Sequence, residues 1–319
     1  MAHSFVSWKQ RGFTLIELMV ALALGLILVA VATQLFIGGL LSSRLQKANA
    51  EIQDSGIFGL EYIARDIRLL NYGNVTNPIL TDTTPWGGVV LTASTATNNN
   101  NVNFVPNVGT NTYIADTLLS RGAGDTVSTV SNHWKGLSNI QNSSNTAVQS
   151  DQLTIQFIAP TNMTNCEGVN VLAGDLIVER YFLRLDSNGS SQQDYALACD
   201  ANTPSAVATA QPTTVAGLGD AGQIVLPRID HFHVLFGAKN AAGNFAYYTI
   251  PQYRAAAQAA RDATPSVMPP RILSIQISVL ARSTNNAQSK AIDPEQSFFM
   301  LDQTVHASDN TTRFLRRTY

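Results

Sequence analysis

Gly12-Phe13-Thr14-Leu15-Ile16-Glu17-Leu18-Met19-Val20 opens a long apolar run. From Leu18 to Leu41, 24 consecutive positions carry no charge. About 20 apolar residues suffice to cross a bilayer as one helix. Glu17 breaks the pattern near its start, and an ionisable group in hydrocarbon costs on the order of 2.5–3.5 kcal/mol on insertion scales. Ahead of the run, Met1 to Gly12 holds only two formal charges, Lys9 and Arg11. The run is too long for the core of a secretory signal peptide. A plain signal anchor accounts for the length and the basic flank, but it leaves Glu17 and the Gly12–Phe13 junction without a reason.

The stretch from Arg11 to Leu18 resembles the leader of type IV prepilins and type II secretion pseudopilins. The resemblance implies cleavage after Gly12 by a prepilin peptidase, N-methylation of the new terminus Phe13, and subunit docking through Glu17. It also has an electrostatic logic. Cleavage creates an α-amine with an ordinary pKa near 7.7–8.0, and an isolated carboxylate in an apolar bundle needs a partner. An amine on one subunit would pair with Glu17 of its neighbour.

The helix is expected to continue past the membrane. Leu45, Ile52, Leu60, Ile63, Ile67 and Leu70 recur at steps of 7, 8, 3, 4 and 3, a helical stripe. Asn71-Tyr72-Gly73 supplies a stop, with Gly73 suited to a left-handed cap. Gly25, Gly38, Gly39, Gly56 and Gly59 weaken the helix by up to about 1 kcal/mol each. They admit two readings, close packing and local melting in a filament.

Residues 73–150 are rich in Asn, Thr, Ser and Gly and read as a surface loop or insertion. Alternation then marks strands. Leu153, Ile155 and Phe157 face one way, with Thr154 and Gln156 opposite. Further strands are expected at 176–185, 195–199, 229–236, 245–250 and 271–282. The turn between the second and third falls at Asn188-Gly189. Phe232, Val234 and Phe236 share one face, which leaves His231 and His233 outward. In 271–282, Leu273, Ile275, Ile277 and Val279 point inward. Residues 252–263 are Ala-rich and helical. Hairpin-linked strands imply an antiparallel sheet with one face on the core, and the stripe from Leu45 to Leu70 is its natural cover.

The segments 61–68, 71–73, 229–237 and 272–282 resemble PilW-type minor pilins. The implied fold is α+β and pilin-like, a long transmembrane and amphipathic helix packed on an antiparallel β-sheet domain. Its divisions are a leader (1–12), a transmembrane half-helix (13–41), an amphipathic half-helix (42–72), the polar insertion (73–150) and the sheet domain (151–319). The resemblance implies a minor pilin that assembles or initiates a type IV pilus, serving twitching, adhesion or DNA uptake. The alternatives are a minor pseudopilin of type II secretion and a pilus-borne adhesin or DNA-binding module. Implied partners are the prepilin peptidase, other minor and major pilins, the inner-membrane assembly machinery and the inner membrane itself.

Formal net charge is −2, which gives no general drive toward nucleic acid. Arg313, Arg316 and Arg317 read as a solvated basic tail, with a nucleic-acid contact left open. The positive-inside rule places Lys9 and Arg11 in the cytoplasm, hence the rest of a single-pass chain in the periplasm and later on the pilus surface. Disulfides persist there. A Cys166–Cys199 bond closes a loop worth roughly 3–4 kcal/mol in the chain-entropy model; two unpaired buried thiols are the other reading. Gly217-Leu218-Gly219-Asp220-Ala221-Gly222 fits a nucleotide-binding pattern only on paper, because no helix follows it. His231, His233 and Asp230 make a weak metal pattern that reads better as an outer face. No catalytic residue, cofactor or metal is assigned.

The leader reading has a direct test. Mass spectrometry of the filament-associated protein should find N-methylated Phe13 at the N-terminus, and Gly12→Val should keep the leader. An intact leader on the wild-type protein in filaments rejects it.

Overall fold

The computed structural model describes residues 12–96, 102–108, 112–187, 194–204, 212–287, 290 and 292–319. The leader charges Lys9 and Arg11 and the Asn188–Gly189 turn lie outside the described residues. The chain forms two compact units, Met1–Lys47 and Ala48–Tyr319.

One helix, α1, runs from Leu15 to Arg68. In the first unit its apolar side chains are exposed all round, from Leu15 at 77% to Phe36 at 67%. In the second unit the stripe is buried: Ile52 and Ile63 are core residues, with Leu60, Ile67 and Leu70 packed against them. Two glycines on this half are explained by close approach. A Cβ at Gly56 would strike the Tyr319 ring, and one at Gly59 would strike the Leu226 side chain. Gly25, Gly38 and Gly39 meet nothing. After Arg68 the chain turns through two left-handed residues, Asn71 (φ 62°) and Gly73 (φ 82°). The first of them, Asn71, is a residue type that tolerates this region.

The strands of three residues or more are β1 (Ile140–Asn142), β2 (Leu153–Ile158), β3 (Leu176–Leu185), β4 (Tyr195–Ala201), β5 (Gln223–Leu226), β6 (Ile229–Lys239), β7 (Phe245–Thr249), β8 (Arg271–Arg282), β9 (Ser297–Met300), β10 (Gln303–Ala307) and β11 (Arg316–Thr318). They build antiparallel sheets in the orders β2-β3-β4-β5, β7-β6-β8-β11 and β9-β10-β1. A second helix, α2 (Ile250–Asp262), starts in a capping box between Thr249 and Gln252. One continuous core joins the α1 stripe, both four-stranded sheets and α2. The Cys166–Cys199 disulfide is formed, with Cα atoms 6.1 Å apart, and lies in this core.

Three expectations change. The polar stretch is largely irregular, yet it is not superficial. Val90, Phe104, Ile114, Leu118 and Leu119 pack on Leu176 and Val178 as a second cluster. They cover the face of β3 opposite the one that carries Ile177, Tyr181 and Leu183 into the main core. Thr154 and Gln156 are therefore buried rather than solvated. The inward row of β8 also slips. Between Gly237 and Ala238 the register with β6 shifts, so Ser274 and then Ile272 take the paired positions. A bulge of this kind moves a side chain to the other face: Leu273 is 55% exposed while Ile272 is buried. Finally, Phe232, Val234 and Phe236 are fully buried, but so are His231 and His233.

Ile63 and Leu273 separate the buried stripe from the slipped row. Ile63→Ala should cost about 2–5 kcal/mol through lost burial and a cavity, and Leu273→Ala no more than about 0.5 kcal/mol. Denaturant unfolding of the full chain in detergent compares them. Similar losses would put Leu273 in the core and remove the bulge.

Candidate assembly site

Gly12, Phe13 and Thr14 precede α1 in non-helical backbone. Phe13 is 89% exposed. Thr14 and Glu17 then close on each other. The Thr14 N–H donates to Glu17 Oε2 at 2.9 Å, and the Glu17 N–H donates to Thr14 Oγ1 at 3.3 Å. The Thr14 hydroxyl also donates to Glu17 Oε2, at 3.0 Å. Thr14 is the residue before the helix and Glu17 its third residue, so this is a capping box. It answers two backbone donors that the first turn of any helix leaves unpaired. In hydrocarbon no water is present to answer them. Sequence reasoning gave Glu17 a role and Thr14 none, although the Thr-x-x-Glu spacing was there to be read.

The second unit anchors the other end of α1. Tyr62 Oη donates to the carbonyl of Asn165 at 3.2 Å, and the Arg65 guanidinium lies over the Tyr62 ring, 4.8 Å from its centroid. Arg65 Nε pairs with Asp66 at 2.9 Å. Asp66 is fully buried and accepts from Tyr181 of β3 at 3.0 Å. The residues that gave segment 61–68 its resemblance are thus those that fasten the helix to the sheet.

The histidines form an internal brace. His233 Nδ1 meets Asp151 at 2.8 Å and its Nε2 meets Asp302 at 2.7 Å. Burial works against the charged ring, but the two carboxylates outweigh it and raise its pKa. His231 is held neutral by burial and by the neighbouring His233, its pKa lowered to about 3. Its Nδ1 is 3.0 Å from Ser150 Oγ. Asp230 turns away from both rings at the other irregularity of β6, between Ile229 and His231, and pairs with Arg282 and Arg316. The metal pattern of the sequence is thereby dispersed.

Arg316 is correspondingly no solvated tail. It is 2.7 Å from Asp230 with its side chain 5% exposed, and Arg313 donates to the carbonyl of Ile292. The glycine-rich segment is a loop, with Gly217, Gly219 and Gly222 all at positive φ. Beside it, one oxygen each of Glu167, Asp200 and Asp220 fall within 4.8 Å. Burial first, then Asp220 and Asp200, push Glu167 up to about 7. Asp200 already has its cation, Arg180 at 2.6 Å.

Two family descriptions match the chain. Residues 9–33 match the prokaryotic N-terminal methylation motif, which takes in Gly12, Phe13, Thr14 and Glu17. Residues 180–319 match the type IV pilus-assembly protein W family, which takes in β4 to β11, α2 and most of β3. No curated protein and no solved structure matches it. A leader motif opening an exposed apolar helix, on a chain with an antiparallel sheet domain, fits a membrane-anchored pilin. The two matches together support a PilW-like type IV pilin with a role in pilus assembly.

The capping box has a local test. Thr14→Ala should cost about 0.5–2 kcal/mol at the helix start, so the amides of the first turn should exchange roughly 2- to 30-fold faster in micelles by that same cost. Unchanged exchange would mean that Thr14 caps nothing.

Proposed function

We propose that the protein is a minor pilin, made as an inner-membrane prepilin with its sheet domain in the periplasm. The prepilin peptidase cuts after Gly12, Phe13 is methylated, and Glu17 guides entry into the type IV pilus beside other minor and major pilins. The observation that carries this reading is the join of Gly12-Phe13 to a helix whose apolar half is exposed on every side. Such a surface is stable only in lipid or against like helices. No catalytic step is needed for the role.

The capping box refines how docking works. In the single chain the Glu17 carboxylate is already engaged by the backbone and hydroxyl of Thr14. The positively charged amine of a neighbour's Phe13 must therefore compete with, or share, those contacts. A charged donor makes the stronger hydrogen bond, so it has the advantage once the neighbour is in place. Before that, the box lowers the cost of holding Glu17 in the membrane.

The experiment compares membrane and sheared-pilus fractions. Glu17→Ala should insert and be processed normally, because it removes an acid from the apolar segment, yet drop out of the pilus fraction. Glu17→Asp should fall between. Deletion of the gene, scored in parallel for surface pili and for secreted enzymes, separates a pilin from a pseudopilin. Normal incorporation of Glu17→Ala, or loss of secretion with intact pili, overturns the proposal.

A further inference from the structure

At the seam between α1 and β3, one tyrosine hydroxyl lies between two buried carboxyl groups. Tyr181 Oη is 3.0 Å from Asp66 Oδ2 and 3.1 Å from Glu179 Oε2. Asp66, Glu179 and Tyr181 are each fully buried. A phenol has one proton to donate, so it satisfies one carboxylate and presents only lone pairs to the other. Two ionised carboxylates around one hydroxyl would leave an unanswered charge in the core, which is strongly disfavoured.

The remaining contacts fix the direction of the chain of bonds. Asp66 Oδ1 accepts from Arg65 Nε at 2.9 Å, so Asp66 is the end paired with a cation. Glu179 Oε1 accepts from the Cys166 N–H at 2.8 Å. Its other oxygen, Oε2, is the one that faces Tyr181. A proton there completes an unbroken series: Glu179 Oε2–H to Tyr181 Oη, and Tyr181 O–H to Asp66 Oδ2. Every polar atom of the three side chains then has a partner.

We infer that Asp66, Tyr181 and Glu179 hold one extra proton at neutral pH, and that this proton latches the end of α1 to β3; its loss sets two like charges against each other and loosens the seam. The groups that face Glu179 are few. Asp66, Arg65 and Tyr62 approach from α1 and Tyr181 from its own strand. The sulfurs of Cys166 and Cys199 lie within 4.8 Å of it and are bonded to each other, so they do not titrate. Burial first, and Asp66 second, raise Glu179 from an ordinary 4.5 to about 8. With the folded value the higher, the folded chain binds the extra proton between those limits. The stabilisation is complete below the ordinary value and is lost as pH rises toward the raised one.

The test uses the full chain in detergent. Glu179→Gln replaces the protonated acid by an amide of the same shape, which donates to Tyr181 and accepts from Cys166 without titrating. Hydrogen exchange at the β3 amides reports seam opening. The ratio of opening constants, wild type over Glu179→Gln, should climb about tenfold per pH unit between roughly pH 5 and 8 and then level off. A ratio that stays flat overturns the inference. Taking the ratio removes the contributions of His233 and Glu167, which titrate in both proteins. Infrared spectroscopy gives a check independent of that variant's folding. With Glu167→Gln in place to silence that carboxyl, the protein at pH 7 should show a protonated-carboxyl band whose disappearance moves to lower pH on adding Asp66→Asn, because the like charge is gone. A band that is absent at neutral pH, or unmoved in Asp66→Asn, also overturns it.

Discussion

The second half of α1 must bury a stripe of side chains while its backbone comes close enough to the sheets for their side chains to reach it. Ile52 and Ile63 provide the stripe, and Gly56 and Gly59 provide the approach. Each fully buried isoleucine is worth roughly 1.5–3 kcal/mol, and each glycine gives back up to about 1 kcal/mol in helix propensity. The balance favours burial, so the glycines persist where Tyr319 and Leu226 press on the helix. Over this seam lie β3 and β4, and the Cys166–Cys199 bond beside Glu179 ties β4 to the segment that precedes β3. Local propensity, packing and covalent linkage thus act at one place.

The first half of α1 answers to a different solvent. Among the described residues its apolar side chains are exposed on all faces. In hydrocarbon the hydrophobic effect gives no preference for one face, and backbone satisfaction becomes the governing requirement. The Thr14–Glu17 box contributes to it at the helix start, where it answers two donors that the helix leaves unpaired. Glu17 is therefore both an anomaly in the apolar run and the residue that lets the run begin cleanly. The two descriptions reconcile a charged side chain with a membrane helix.

What the sequence made legible were features of short range. The helix and its stop and the strand at 271–282 follow from spacing within ten or twenty residues. The Gly12–Glu17 stretch could be read because residue type and order carry its meaning. What escaped were contacts across long separations and single-residue slips. His233 lies 82 residues from Asp151 and 69 from Asp302, so nothing local marks it as a buried brace. The bulges beside Asp230 and Leu273 alter which face a side chain takes, and alternation alone extends straight through them. The Cys166–Cys199 bond followed from compartment and count. The Tyr181 hydroxyl between two acids followed from neither.

The polar stretch shows how composition misleads when read as exposure. An irregular segment over a sheet buries backbone carbonyls that no ladder answers, and each unpaired buried group costs about 1–3 kcal/mol. Here Gln152, just before β2, and the outward row of β2 supply the donors. Gln152 Nε2 bonds the carbonyls of Thr117 and Leu119 at 3.0 and 2.6 Å, and Thr154 Oγ1 bonds that of Leu118 at 2.7 Å. Gln156 Nε2 bonds those of Gly87 and Asn103 at 2.7 and 3.0 Å. Within the stretch, Asn103 Nδ2 does the same for Thr81 and Thr84 at 2.8 and 3.0 Å. An amide or hydroxyl at alternate positions of a strand therefore has two meanings, a wet face or a face roofed by loops. The side chains that solvate well in water are also those that replace water inside. Val90, Phe104 and Leu118 are the apolar residues that decide between the two here, because they need a sheet face to cover them. Their isolation among Asn and Thr hides them from any periodicity, yet they turn the low-charge, amide-rich segment into the third layer of the domain.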